Sequence, residues 1–228
     1  MTKRYKMQAK DTFAKLAKKN YDDSRFAEPL ASYNGIRDTR TIVRGEVIEL
    51  PSKRELLAPR ALEKALLLAP PHGLEQILAT FGDIYKYIRA DGTLDPKWEV
   101  DQLATAPLPF PITLDWDPTQ QATRIRCHKK LAGIFEDVFK AIQAKGLREK
   151  VKTYAGCYNF RPKRAGSKLS THSWGIAIDL NAKTNPMGSP GDMDLRVVQV
   201  FRSFGFKWGG DWTGNYKDPM HFQFCTGY

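Results

Sequence analysis

Two stretches near the C-terminus alternate with a period of two. From Gly175 to Leu180, the apolar Ile176, Ile178 and Leu180 are interleaved with Ala177 and Asp179, the signature of a half-buried strand. In Met220–Phe224, Phe222 and Phe224 take one face, and His221 and Gln223 take the other. Pro219 has no N–H to give to a ladder, so it belongs where that strand begins, with Asp218 in the turn before it. Val151–Tyr158 predicts a further strand. Thr105–Trp116, with its three prolines, predicts an extended stretch ending in a strand. Helical spacing of Ile125, Leu131, Ile134, Phe135, Val138, Phe139 and Ile142 predicts one long amphipathic helix over Thr123–Lys145. Leu74–Ile88 reads as helical or mixed, and Leu195–Phe204 as the last helix, closed by Gly205. Thr184–Asp192, rich in Pro, Gly and Asn, predicts a loop able to border a cleft.

The N-terminal fifty residues pattern separately. Tyr5-Lys6-Met7 predicts a short strand, and Asp11 is the expected cap of a helix over Thr12–Asn20. Ser24 is the expected cap of a second helix, which Asn34-Gly35 stops. Val47–Leu50 returns as a strand, giving a β-α-α-β order. After Pro51, the apolar stripe of Leu56, Leu57, Ala61, Leu62, Ala65 and Leu66 predicts a helical linker that Pro70-Pro71 ends. The expected division is therefore 1–51, a linker over 52–69, and 70–228.

Composition narrows the class. The chain has 228 residues, 42% of them hydrophobic, as ordinary globular proteins do. No apolar run is long enough to span a membrane, and no secretory signal follows the basic N-terminus. The formal net charge is +11. Between Lys145 and Lys168 eight basic residues face one acid, Glu149, a patch suited to a polyanion. No finger spacing, RNA-binding aromatic motif or basic heptad accompanies it, so nucleic acid is not the expected partner. Cys127, Cys157 and Cys225 are odd in number and widely spaced, which excludes a disulfide framework and a cysteine zinc site.

The candidate chemistry lies on the alternating strands. Asp179 and His221 face away from the apolar positions, and His172 stands just before the first strand in a Ser/Thr-rich turn. Two imidazoles and a carboxylate on one open face, with a fourth position left to water, is the usual catalytic zinc arrangement. The chain has four histidines, and the other two, His72 and His128, read as isolated or as packing residues. A competing reading is a cysteine amidase built on Cys157 and His172, although Cys157 lacks a helix N-terminus to lower its pKa. A third is a non-catalytic wall-binding protein in which zinc is a structural clip.

Ser170-x-His172-x-x-Gly175-x-Ala177-x-Asp179, followed by Asp218-x-Met220-His221-Phe222, resembles the zinc D-alanyl-D-alanine peptidases. That family includes phage L-alanyl-D-glutamate endopeptidases. The resemblance implies one Zn2+ held by His172, Asp179 and His221, with Asp218 as general base or acid and Arg161, in Tyr158-Asn159-Phe160-Arg161-Pro162, near the scissile carbonyl. It implies substrate contacts from Ser170, Tyr158, Trp208 and Asp211. Trp208-Gly209-Gly210-Asp211-Trp212 resembles the endopeptidase branch. The implied activity is cleavage of the peptidoglycan stem peptide between L-alanine and D-glutamate, with D-alanyl-D-alanine carboxypeptidase activity as the alternative.

The N-terminal order resembles the LysM module, which binds N-acetylglucosamine glycans. Lys10, Asp11, Thr12, Asn34, Gly35 and Ile36 are the implied glycan contacts, and Lys10 stands where that family has Gly. The expected fold is α+β: a small LysM-like domain plus an α+β peptidase domain around a central antiparallel sheet. Bacterial peptidoglycan is the expected partner, and a monomer the expected state. An endolysin made in the cytoplasm and released through a phage holin, or a virion component, fits the missing signal peptide.

Overall fold

The computed structural model describes residues 3–34, 36, 45–56, 68–163 and 167–228. The chain divides into two compact units, Met1–Ala69 with Arg202–Gly205, and Pro70–Phe201 with Phe206–Tyr228. In the first, β1 (Lys3–Lys6) pairs antiparallel with β2 (Val47–Leu50), Lys3 opposite Leu50 and Lys6 opposite Val47. Between them run α1 (Phe13–Tyr21) and α2 (Ala27–Tyr33). Phe13, Leu16, Ala17 and Tyr21 of α1 meet Leu30 and Ala31 of α2 and Ile48 and Leu50 of β2 in one apolar core. The order is β-α-α-β.

The caps differ from expectation by one residue. Thr12, not Asp11, caps α1 by accepting the Lys15 N–H (3.1 Å). The Asp11 carboxylate is held by the Tyr5 hydroxyl (3.0 Å) and the Gln8 N–H (2.7 Å). Asp23 caps a 3-10 turn over Ser24–Phe26 that leads into α2. Asn34 acts as a rung of the sheet: its side chain accepts the Glu49 N–H (2.7 Å) and donates to the Glu49 carbonyl (2.8 Å). Ile36 is buried and Lys10 is exposed. Gly35 and the expected helix before Leu68 lie outside the described residues.

The second unit is built on a six-stranded sheet of order β4-β3-β5-β6-β8-β7. The strands are β3 (Leu103–Leu114), β4 (Gln121–His128), β5 (Thr153–Gly156), β6 (Ala177–Leu180), β7 (Lys207–Trp208) and β8 (His221–Gln223). The sheet is mixed rather than antiparallel as expected, because β3 and β5 run parallel. A parallel pair needs a crossover, and the chain between them supplies one through β4 and α3 (Ala132–Ala144).

The long helix expected over Thr123–Lys145 starts as a strand: β4 runs to His128, and the α-helix begins at Ala132. Arg124 and Arg126 are exposed while Ile125 and Cys127 are buried, a period of two that the downstream helical pattern overlaps. The strand ends at His128. Its buried ring contacts the Phe81 carbonyl through Nε2 (2.9 Å) and accepts the Lys130 N–H through Nδ1 (3.2 Å), turning the chain into α3. In β3 the pairing with β4 shifts register between Pro107 and Ile112, where prolines offer no N–H to the ladder.

Apolar side chains fill the space beneath the sheet. Phe135, Val138, Phe139 and Ile142 of α3 and Val197, Val198 and Phe201 of α4 (Leu195–Ser203) are buried with Phe206, Phe222 and Phe224. Phe222 stacks on Phe201 with centroids 4.2 Å apart. Truncating Phe222 removes that contact directly behind His221. Phe222→Ala is expected to cost about 3–5 kcal/mol, read by tryptophan fluorescence as an earlier denaturation midpoint; an unchanged midpoint would refute this account of the core.

Candidate metal centre

The sheet register brings the first two candidate residues together: β6 and β8 pair antiparallel with Asp179 opposite His221. Ile178 and Phe222, the next pair, point into the core, so the polar pair points out of it. His172 arrives from a 3-10 turn, Thr171–Trp174, capped by the Ser170 hydroxyl, which accepts the His172 N–H (3.3 Å). Gly175 ends the turn in the left-handed conformation (φ 66°). A Cβ there would lie 2.8 Å from the His128 backbone nitrogen. Only glycine lets the turn pack this closely on β4 and still deliver His172 beside β6.

The three side chains converge. His172 Nε2 lies 3.2 Å from Asp179 Oδ2 and 3.2 Å from His221 Nδ1, and His221 Nδ1 lies 2.9 Å from Asp179 Oδ1. The outward nitrogens fix the tautomers. His172 Nδ1 meets the Cys157 carbonyl at 2.7 Å, and His221 Nε2 meets Gln223 Oε1 at 3.1 Å. Gln223 Nε2 donates to the Cys225 carbonyl (3.4 Å), which leaves its amide oxygen facing His221. Both outward nitrogens therefore carry hydrogen, which leaves the two inward nitrogens and the carboxylate as the atoms that take up a proton or a metal ion. Such a cluster of acceptors calls for positive charge at its centre.

The donor set fits zinc. A tetrahedral ion with bonds of about 2.0–2.1 Å separates its ligand atoms by roughly 3.3 Å, close to the spacing found here. These residues could hold one divalent cation. Burial by itself would raise the Asp179 pKa, but the charge and hydrogen bonds of His172 and His221 outweigh it and hold the carboxyl far below the usual range. For His221, burial opposes the charged ring, and the hydrogen bond and charge of Asp179 overcome it, raising the pKa.

A cavity of about 270 Å³ opens over the triad. Arg161, Ser170 and Asp218 line it with the three candidate ligands. Arg161 is fastened to the histidine turn: its N–H donates to Ser173 Oγ (3.1 Å), and its carbonyl accepts from the Ser173 hydroxyl (2.9 Å) and the Ser170 N–H (2.9 Å). Asp218 sits on the Gly209-Gly210 shelf, with its N–H on the Gly209 carbonyl (2.9 Å). A Cβ on Gly209 would stand 2.4 Å from the Asp218 carbonyl oxygen, and one on Gly210 would stand 2.2 Å from the Trp208 ring. The Trp-Gly-Gly segment is thus a support for Asp218.

Three expected substrate contacts fall outside the lining. The Trp208 indole donates to the Pro219 carbonyl (2.7 Å), bracing the turn beneath Asp218. The Tyr158 hydroxyl donates to Glu99 (2.9 Å), which also pairs with Arg126 (2.6 Å). Asp211 is exposed and lines no part of the cavity. In their place stand Trp212, 5.5 Å from the His221 ring, with Tyr216, Tyr228 and Met187. Met187 belongs to the Thr184–Asp192 loop. Gln223 and Thr171, which orient His221, were missed as site residues; the alternation that puts Gln223 on the face of His221 is the signal that could have found it.

The thiol alternative fails on geometry. Cys157 is buried, its Sγ faces the Gly175 carbonyl (3.7 Å), and His172 meets the backbone oxygen of Cys157 rather than its sulfur. Burial also pushes this thiol well above its ordinary pKa, away from the nucleophilic thiolate.

Residues 163–224 match the family model described as D-alanyl-D-alanine carboxypeptidase. The chain is a zinc metallopeptidase acting on peptidoglycan. The match takes in His172, Asp179, Asp218 and His221, whereas Arg161 and the N-terminal unit lie outside it. No solved structure matched the chain. Among the described residues, no helix is long and apolar enough to cross a membrane.

Gln223→Leu keeps the three inward donors but removes the acceptor that orients His221. Zinc affinity should fall about 10- to 100-fold, measured by competition with a chromogenic chelator; an unchanged affinity would show that Gln223 has no part in orienting the histidine.

Proposed function

We propose that this metallopeptidase cuts the stem peptide of peptidoglycan, with zinc on His172 Nε2, His221 Nδ1 and Asp179. The observation carrying the reading is the convergence of two oriented imidazoles and a carboxylate beneath a cavity that also presents Asp218 and Arg161. Bound there, zinc supplies a Lewis acid that activates water and polarises the scissile carbonyl. Asp218 accepts the proton of the attacking water and returns it to the departing amine. The Arg161 guanidinium neutralises charge developing on the carbonyl oxygen. Ser170 acts indirectly, by holding the His172 turn. Gln223 and the Cys157 carbonyl keep each histidine in the tautomer that offers its lone pair inward.

Two bonds suit this machinery. Cleavage between L-alanine and D-glutamate is supported by the resemblance of Trp208–Trp212 to the endopeptidase branch, and by Trp212 lining the cavity. Removal of a terminal D-alanine is supported by the family description over residues 163–224. We favour the endopeptidase. For the N-terminal unit we keep the glycan-binding reading, supported by its β-α-α-β order. Because Asp11, Thr12 and Asn34 are engaged within the unit, backbone groups and the exposed Lys10 would make the contacts. Such a module would act only by raising the local concentration of substrate.

Mass spectrometry of purified peptidoglycan, after incubation with the protein as purified, stripped by chelator and restored with zinc, tests the reaction. Stem-peptide fragments should appear, vanish and return, and their termini name the bond. An absence of fragments throughout would overturn the peptidase reading. Asp218→Asn should bind zinc normally and lose about 10²- to 10⁴-fold in kcat; near-normal turnover would remove Asp218 from the chemistry.

A further inference from the structure

The cavity carries two cations on one wall. Arg161 and Lys163 lie two residues apart on an extended segment and both line the cavity, whereas Pro162 between them is exposed. That segment is one arm of an antiparallel bridge. Pro162 bridges Leu169, and the Lys163 N–H donates to the Lys168 carbonyl (2.8 Å). The opposite arm runs straight into Ser170 and the His172 turn, so Lys163 is tied to the element that delivers His172.

The Lys163 ammonium is held in place without being neutralised. It lies 4.0 Å from the centroid of the Tyr228 ring, a contact that positions a cation and leaves its charge available. The ring is itself braced: the Tyr228 hydroxyl donates to the Leu169 carbonyl (2.8 Å), and the ring packs edge-on against Trp174 (6.0 Å). Among the described residues Lys163 has no carboxylate partner, in contrast to Arg126 with Glu99 and Arg196 with Asp194. Its half-burial works against the charged form and lowers its pKa from the ordinary lysine value. A partly desolvated ammonium lacking an anion gains when a carboxylate arrives.

We propose that Lys163 reads the free carboxylate of the residue on the leaving side of the scissile amide. The inference rests on the peptidase reading and deepens it. In both candidate bonds the departing amine belongs to an amino acid with a free α-carboxylate. D-glutamate in the stem continues through its side-chain carboxyl, and a terminal D-alanine ends in one. Lys163 stands two residues, about 7 Å of strand, further from the histidine turn than Arg161. That offset suits a group one residue beyond the reacting carbonyl.

The test uses two pairs of synthetic stem peptides, one pair for each candidate bond, whose members differ only in having that carboxylate free or as a primary amide. The zinc-loaded full chain should prefer the acid by about 10- to 100-fold in kcat/KM. Lys163→Met should retain its zinc and lose the preference through a raised KM for the acid, and Lys163→Arg should restore most of it. Tyr228→Leu should weaken the preference with the charge still present. Equal cleavage of acid and amide by the wild type, or a zinc-replete Lys163→Met that still prefers the acid, overturns the proposal and leaves the peptidase standing. No cleavage of any peptide by the zinc-loaded wild type overturns both.

Discussion

The pairing of Asp179 with His221 across β6 and β8 is the constraint on which the site depends. Side chains directly opposite on one face of a sheet are neighbours, so a slip of β8 by one residue would turn His221 into the core, away from Asp179, and bring Phe222 out. The apolar face prevents that slip. Phe222 stacked on Phe201, with Ile178 beside it in the core, fixes the register as firmly as any hydrogen bond. The core thereby decides where the carboxylate and imidazole stand.

Around that pair, close backbone contacts set the remaining groups. Gly175 lets the histidine turn lie on β4, and Gly209 lets the chain before β8 fold onto a shelf beneath Asp218. Neither glycine lines the cavity, yet each determines where a reactive group sits. The same economy appears in the serines, whose hydroxyls hold the turn of His172 and the backbone of Arg161. The inward nitrogen of each histidine is matched by a hydrogen bond at its outward nitrogen, so the orientation of both rings is built into the fold.

Strands β6 and β8 were legible because a half-buried strand imposes a period of two, and both segments obey it without interruption. The helix boundary at residue 132 was not. Ile125 stands nine residues, about two and a half turns, before Ile134, so it falls off the helical stripe and belongs with Cys127 to the strand stripe that pairs with β3. The parallel β3–β5 contact was also hidden, since the direction of a strand in a sheet depends on the crossover between them. Trp208 was expected at the substrate but braces Pro219, because local pattern does not say which face of an aromatic meets solvent.

The sequence by itself determined the residue types of the site and the faces they take: His221 and Gln223 opposite the phenylalanines, and Asp179 opposite the isoleucines. Those follow from local stereochemistry, which a short segment carries within itself. Tertiary structure alone decided which nitrogen of each histidine turns inward, that Cys157 contributes its carbonyl and not its thiol, and that Lys163 and Tyr228 form one wall of the cavity. These are contacts between segments distant along the chain, and packing the sheet against its helices is what brings them together.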